Sequence, residues 1–410
     1  MRLLHILFQY PGKTGSGIYV NNLIKEASKK GHTQGLLAAS GPGHDYENNT
    51  LEYLDIVRFE EGKLDFPLPG MSDTMPYKST RYRDMTILQV SIWKENFGAA
   101  IKRAIEEFKP DRILSHHLWL GSALLAELGL GYKTLAICHS TDLRQYMQNP
   151  GYRKYVREGC GKLDRILSLN RVQKEEISNL YGIPKDRITI IGGGFDTDIF
   201  NPTGRTDRNR VPELIYAGKL SHAKGLIPLL DAYEEISKDT PIRLSLAGTG
   251  TGSEAAEIMK RAESMGVRLF GSLTQHKLAD VFRASDLFIL PSYYEGLPLV
   301  LLEAMACGLP AVTTEIWGLK EYLGEELTGS GFVEFVPLPR MKGIDIPAEE
   351  CVEGFKDNLK LAIKKQIKNI HKGYISFAPL KEAVEGLSWE GVFNRVDDFL
   401  KRSEERRVGK

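Results

Sequence analysis

The chain has 410 residues, enough for two or three domains. Its 54 Lys and Arg against 53 Asp and Glu leave a formal net charge of +1, so no general pull toward nucleic acid or a membrane surface is in evidence, and 42% hydrophobic with 26% charged residues describes a soluble globular chain. Cys138, Cys160, Cys307 and Cys351 lie too far apart for a zinc site or a disulfide framework, and no segment reaches the roughly 18 apolar residues that span a bilayer, so a cytoplasmic protein with reduced thiols is expected.

The opening run, residues 3–8, is too short for a signal sequence, contains His5 and lacks a small-residue cleavage site, which predicts a first buried strand. Further apolar runs predict strands at 34–39, 54–59, 112–115, 134–138, 165–169 and 188–191, then at 213–217, 243–247, 268–270, 287–290 and 311–313. Helical periodicity falls between them at 19–30, 96–108, 226–236, 254–265 and 299–306. Alternating strands and helices, with strands apolar on both faces, predict parallel sheets covered by helices. A dozen strands fit two sheets better than one. The polar stretch 201–210 reads as the linker, giving domains over 1–200 and 201–387. Residues 60–90, with Pro67, Pro69, Gly70 and Pro76, read as a surface loop or lid, and 402–410 as a frayed, charged end. Ligands of open parallel sheets bind outside the carboxyl ends of the strands, so the active site is expected in the cleft between the domains.

Four stretches at such strand ends carry candidate chemistry. Glu295 and Glu303 bracket an almost wholly apolar run beginning Gly296-Leu297-Pro298-Leu299-Val300. Carboxylates in so apolar a stretch need partners, and a ligand rich in hydroxyls would serve; two incidental acids on a buried helix is the plainer alternative. Pro298 belongs near the first helical turn, and the amides around Leu297, Leu299 and Val300 predict a positive helix terminus able to receive phosphate, with Glu303 about 6–8 Å further along the axis. In Gly218-Lys219-Leu220-Ser221-His222-Ala223-Lys224-Gly225, two lysines follow a strand and suit a diphosphate, although a solvated loop would also carry them. Gly12-Lys13-Thr14-Gly15-Ser16-Gly17 is neither a dinucleotide fingerprint nor a Walker A loop, but it exposes backbone close to a helix start at Tyr19; a plain turn is the rival reading. His116, His117 and His139 follow strands, whereas His5 and His32 are not so placed; neighbours His116 and His117 on a strand point to opposite faces and would not share a metal.

Together these residues resemble the retaining glycosyltransferases of the GT-B fold, α/β proteins with two Rossmann-like doubly wound domains, and more narrowly group 1, also called family 4 (GT4-like). Glu295 to Glu303 matches the E-x7-E motif and the following Ala304-Met305-Ala306-Cys307-Gly308-Leu309-Pro310 its usual continuation. The 218–225 stretch is similar to the family's diphosphate loop, 15–32 to its glycine turn and helix, 139–143 to its histidine segment, and 389–400 to a C-terminal helix that packs back on the first domain, so that 388–402 is assigned there.

The resemblance implies retaining transfer of a hexose-type sugar from a nucleotide diphosphate sugar, a UDP-sugar or GDP-mannose, to an acceptor hydroxyl on a glycan, a lipid-linked sugar or a small molecule, with the acceptor on the side of domain 1–200 and the donor site in domain 201–387. It implies that Glu295, His139 and Lys224 act on the transferred sugar and leaving group. Lys219 and Lys224 would hold the diphosphate, the amides of Gly15, Ser16, Gly17, Leu299 and Val300 would cover it, Glu303 would bind the ribose, and Ser272 and Leu273 would meet the base. No cofactor or metal is required, and no Asp-x-Asp motif stands at a strand end. Another GT-B activity, sucrose-synthase-like or phosphorolytic, and a non-catalytic nucleotide-sugar binder share these features. Gly192-Gly193-Gly194 replaces the family's usual asparagine-led segment and predicts a looser hinge; 332–340 lacks its glycine-rich segment.

Overall fold

The computed structural model describes residues 1–12, 14–73, 75–205, 211–343 and 345–408, with side chains up to residue 401. Lys13, Thr74 and residues 206–210 of the expected linker therefore lie outside the described residues, as do Ile344 and the last two residues.

The chain divides into two compact units. The first comprises residues 1–192 and the chain from Phe393 onward. Its sheet contains β1 (Arg2–Leu7), β2 (Thr33–Ser40), β3 (Leu51–Arg58), β4 (Arg112–His116), β5 (Thr134–Ile137), β6 (Arg165–Ser168) and β7 (Ile188–Ile190), in the order β3-β2-β1-β4-β5-β6-β7. Every neighbouring pair is parallel. The order turns back at β1/β4, which places the loops after those strands at the switch point of a doubly wound sheet. Leu3, Leu4, Ile6 and Leu7 of β1 are fully buried, as a central strand covered on both faces requires.

The second unit comprises residues 193–392. Its strands are β8 (Glu213–Ala217), β9 (Arg243–Ala247), β10 (Arg268–Gly271), β11 (Leu287–Leu290), β12 (Ala311–Thr314) and β13 (Val333–Val336), ordered β10-β9-β8-β11-β12-β13 and again all parallel. The switch point is β8/β11. Phe195 and Phe200 pack in this unit's core, so the chain joins it upstream of the polar stretch.

The twelve predicted strands are all present. The sequence reading missed β13, where Glu334 and a following run of prolines mask a four-residue apolar pattern. It also missed the helix Glu349–His371, whose buried Phe355, Leu359, Ala362, Ile363, Gln366 and Ile367 lie on one face among many lysines. Gln366 Nε2 donates to the Gly331 carbonyl (2.9 Å), anchoring the helix beside the sheet.

Three expectations need correction. Helix α1 (Gly15–Lys29) starts at Gly15, not Tyr19, because Thr14 caps it by accepting from the Gly17 amide (3.0 Å). Helix α2 (Ile87–Phe108) starts well before residue 96, behind a capping box between Thr86 and Gln89. Residues 60–90 are not a surface lid: Leu64, Phe66, Leu68, Met71, Tyr82 and Met85 are part of the first unit's core. The prolines there break helix and strand without making the segment polar, and alternate residues turn inward.

Within the glycine triplet, Gly194 has a packing reason of its own. A Cβ on Gly194 would come within 2.5 Å of the Trp389 amide nitrogen, so close backbone approach explains the glycine. Trp389 begins the helix Trp389–Val408, which starts in the second unit and continues in the first from Phe393. In the first unit, Arg395 donates to the Ile191 carbonyl (2.8 Å) and His32 meets Asp397 (3.1 Å).

Candidate active site

In the second unit the candidate residues gather at the carboxyl end of the sheet, beside its switch point. The loop after β8 carries Lys219 and Lys224, and the loop after β11 carries Ser292, Tyr294 and Glu295. The two loops are joined through the backbone: the Tyr293 amide donates to the Ala223 carbonyl (3.1 Å). Gly225 makes this approach possible, since it has φ +65° and a Cβ there would sit 2.1 Å from the Pro291 carbonyl oxygen.

The side chains meet as well. Lys224 Nζ donates to Glu295 Oε1 (2.6 Å) and to the Tyr294 carbonyl (3.3 Å). The Ser292 hydroxyl donates to the same Glu295 oxygen (2.9 Å). Both members of the ion pair are mostly buried, so the pair is held rather than floating in solvent. Sequence reading had treated Glu295 as a carboxylate awaiting a ligand; the structure gives it Lys224 and Ser292. The separation of Ser292 and Glu295, three residues in one loop, was the available signal for Ser292. Lys219 is exposed, and its carbonyl accepts from the Tyr216 hydroxyl (2.8 Å).

Beyond Glu295, Pro298 is the N-cap of helix α3 (Leu299–Ala306) rather than a residue of its first turn. The Leu299 amide donates to the Leu297 carbonyl (3.0 Å), so it is not a free donor. Val300 is half-buried in the first turn. Glu303 follows one turn later. Burial pushes its carboxyl up to about 7, and among the described residues no cation offsets the effect. It is thus poised between neutral and charged forms near neutral pH. Ser272 and Leu273 follow β10 at the sheet edge, Ser272 exposed and Leu273 half-buried.

In the first unit, Gly15, Ser16 and Gly17 form the first residues of α1 at the carboxyl end of β1. Ser16 is buried and bonded to Gln9, and the Gly17 amide is committed to Thr14. Gly17 therefore has no spare donor for a phosphate.

The histidines form a connected group that sequence reading only partly located. His5 Nε2 meets Gln34 Oε1 (3.0 Å), His5 Nδ1 meets His116 Nε2 (3.2 Å), and His116 Nδ1 meets His139 Nε2 (3.3 Å). His5, set aside from the sequence, is the inner member of this row; its register opposite Leu36 and Leu114 puts it in the middle of the sheet. His117 does not diverge from its neighbour's partner: its φ of +77° ends the strand alternation, and its ring lies 4.8 Å from that of His139. His117 Nδ1 bonds Asp142 Oδ1 (2.7 Å), while Asp142 Oδ2 accepts from the His139 amide. Ser140, at φ +71°, is a second strained residue beside the group.

Burial lowers His5 to about 4 and His139 to about 3, and holds His116 well below the ordinary imidazole value. Burial alone would raise Asp142, but His117 and then His139 overcome it and hold the carboxyl low. The three-membered row is therefore neutral at pH 7, with one proton per ring. With the Gln34 carbonyl facing His5, each Nε2 carries the proton, and His139 Nδ1 is left as an acceptor. Among the described residues, no group of three or more His, Cys, Asp or Glu side chains is arranged to hold a metal ion.

Residues 202–336 match the glycosyl transferases group 1 family, and residues 13–199 match Glycosyltransferase Family 4. The chain belongs to the group 1, family 4 glycosyltransferases. A D-inositol 3-phosphate glycosyltransferase of Xylanimonas cellulosilytica is 31% identical over 185 residues, covering 40% of this chain and 44% of that protein, so the chain spans less than half the length of that relative. The glycogen synthase of Mycobacterium tuberculosis is 26% identical over 356 residues, covering 80% of this chain and 81% of that one. Sucrose-phosphate synthase from Thermosynechococcus elongatus superposes with a TM-score of 0.71 at 18% identity, covering 99% and 100% of the two chains. That likeness is one of fold, and two parallel-sheet α/β units of this kind are the GT-B fold. Among the described residues, no helix is long and apolar enough to cross a membrane.

Proposed function

We propose that this family 4 member transfers a hexose-type sugar, with retention at the anomeric carbon, from a nucleotide diphosphate sugar to an acceptor hydroxyl. The observation that carries this reading is the Lys224–Glu295 pair at the carboxyl end of one sheet, together with Glu303 on the helix that follows, a mostly buried carboxyl whose burial no cation among the described residues offsets. A ribose diol supplies the donors that Glu303 lacks. A diphosphate supplies an anionic partner for Lys224 and Lys219. A sugar hydroxyl takes up the side of Glu295 that Lys224 and Ser292 leave free.

In the reaction, the bond from the anomeric carbon to the diphosphate oxygen breaks and a bond to the acceptor oxygen forms. The acceptor proton passes to the departing phosphate. Lys224 and Lys219 stabilise the charge that grows on that group, a role fixed dipoles and cations perform without reorganising. Charge compensation then falls to the lysines, with no metal or cofactor assigned. Glu295 orients the sugar and balances Lys224; it is not assigned as a nucleophile. His139 contributes a hydrogen-bond acceptor to the same reaction, its Nδ1 receiving a sugar hydroxyl. UDP-sugars and GDP-mannose are the donors proposed.

The test is a panel of UDP- and GDP-sugars scored for nucleotide release with and without saccharide acceptors, on the wild-type chain and on Lys224→Ala and Glu295→Gln. Nucleotide release by the wild type, lost in both variants while nucleotide-free thermal unfolding is preserved, is the expected result. Near-normal transfer by both variants sinks the assignment.

A further inference from the structure

At the opposite end of the first sheet from His139, the helix Arg153–Cys160 walls a groove of about 590 Å³. Lys162 and Gly182 on its rim precede β6 and β7, at the amino ends of those strands, whereas His139 follows the carboxyl end of β5. Helical spacing builds the charged wall. Arg153, Arg157 and Gly161 recur at every fourth position and share one side of the helix; Lys154, Glu158 and Lys162 share the adjoining side. Both rows line the groove, so four cations face one carboxylate in a chain whose formal net charge is +1. The other wall is aromatic. The rings of Tyr146 and Tyr181 lie 4.7 Å apart, and their hydroxyls turn away to the Leu180 and Leu118 carbonyls (2.9 and 2.8 Å). Gly182 completes this wall at φ +70°. A Cβ there would lie 2.8 Å from Arg157 Nη2, so the glycine leaves room for the guanidinium.

The needs of the fold account for only part of this charge. Arg153 Nε donates to the Tyr146 carbonyl (2.8 Å) and its Nη2 to the Met147 carbonyl, which fixes the guanidinium and leaves Nη1 over. Arg157, in the last turn, suits the negative end of the helix dipole. Arg153 and Lys154 stand in the first turn, where the dipole favours acids, and none is present there. Among the described residues, the side chains of Lys154, Arg157 and Lys162 make no hydrogen bond or ion pair, although Glu158 is four residues from either lysine. Like charges at helical spacing repel one another, and a local rule broken in this way is the mark of a site whose missing charge comes from a ligand.

We infer that this groove is a second ligand site, separate from the donor site, that takes a phosphate group carried by a soluble ester or a lipid headgroup. Arg157 is its principal contact, since the guanidinium presents paired donors that match two phosphate oxygens. Lys154 and Lys162 add charge from the adjoining side of the helix. The volume exceeds that of a phosphate alone, and the organic part of the ligand lies along Tyr146 and Tyr181. The inference stands on the first unit by itself and does not depend on the proposed transfer reaction.

Calorimetry on the full chain at low salt uses inorganic phosphate and glucose 6-phosphate as probes, with glucose as the uncharged control. Flotation with vesicles of phosphatidylcholine, alone or mixed with phosphatidic acid, tests the headgroup. At least one phosphate-bearing probe should bind the wild type, and glucose and plain phosphatidylcholine should not. Arg157→Gln and Lys154→Gln should each weaken that binding about tenfold, the scale of one charge-assisted contact. Both side chains are exposed, and melting without ligand should be unchanged in both variants. Lys224→Ala in the second unit and Lys102→Gln, an exposed cation on α2, should keep the wild-type affinity. Binding of the soluble ester without the acidic vesicles supports the site with a soluble ligand, and binding of the acidic vesicles alone supports it with a headgroup. Binding of no phosphate-bearing probe, a loss in Lys224→Ala with none in the groove variants, or an equal loss in Lys102→Gln overturns the site.

Discussion

In the second unit, Lys224 and Glu295 are an ion pair, and the burial of Glu303, one turn into the adjacent helix, is offset by no cation among the described residues. In the first unit, Gln34, His5, His116 and His139 form a row of neutral groups linked ring to ring. Both groups are polar, but the charged one lies at the carboxyl ends of its strands, the row runs from Gln34 near the start of β2 to His139 after β5, and their energetics differ. Along the row each ring nitrogen facing a neighbour is matched, and Gln34 Nε2 at its inner end is buried without a partner among the described residues. The charged group is incomplete, because a half-protonated carboxyl and a lysine with spare donors gain from an added ligand. A charged group with donors to spare at a strand end marks where substrate binds; a row of matched neutral rings marks what holds a side chain in place.

The largest expected effect comes from breaking the charged pair. Lys224→Ala should lower transfer about 10²- to 10³-fold, the scale of removing one preorganised charge from a transition state. Glu295→Gln should act on the same step, so the double variant should lose far less than the product of the single losses. Additive losses in a double-mutant cycle would show that the two side chains do not work as a unit.

Next is Glu303. Its carboxyl stands near 7 in the folded chain, above its ordinary 4.5. A raised acid favours the folded state in its protonated form, so its contribution to stability falls as pH rises from the unfolded value and the loss is complete above about 7. Glu303→Gln should therefore be more stable than wild type at pH 8, by on the order of 2 kcal/mol, with the difference closing toward pH 4.5. Yet it should bind nucleotide about tenfold more weakly at pH 8, since a charged carboxylate accepts a diol better than an amide does. Calorimetry and melting curves across pH 5–8 read both. For the wild type, nucleotide binding should tighten from pH 6 to pH 8 with proton release; tighter binding at the acid end would reverse the assignment.

The smallest effect is expected from the row. His116→Phe should remove the link that sets the tautomer of His139 and lower kcat by several-fold, about fivefold, with nucleotide affinity unchanged. A shift in the His139 imidazole nitrogen resonances would accompany it. Loss of nucleotide affinity instead would mean that the histidine served only to hold the fold.

Strand positions were largely legible because buried parallel strands are short apolar runs, and twelve of them could be read as blocks bounded by turn residues. β13 and the helix Glu349–His371 were not, since one is four residues with a glutamate inside it and the other hides a single apolar face among lysines. In the site, the spacing of Glu295 and Glu303 was visible, but their unlike states were not: pairing with Lys224 depends on Gly225 letting two loops meet, a contact across 71 residues of chain. His5 was passed over because its role depends on sheet register opposite Leu114, one strand from His116, rather than on its own neighbours in sequence.

The helix Trp389–Val408 also bears on the order in which the protein can be made. Phe393, Val396 and Leu400 are fully buried and belong to the first unit, whose other residues end at Gly192. During synthesis the whole of the second unit leaves the ribosome before these side chains do. The second unit can therefore fold as a continuous stretch, while the first waits with an uncovered apolar surface for the last segment to arrive. On this chain the half synthesised first is the half completed last, and chaperone dependence should follow the N-terminal half.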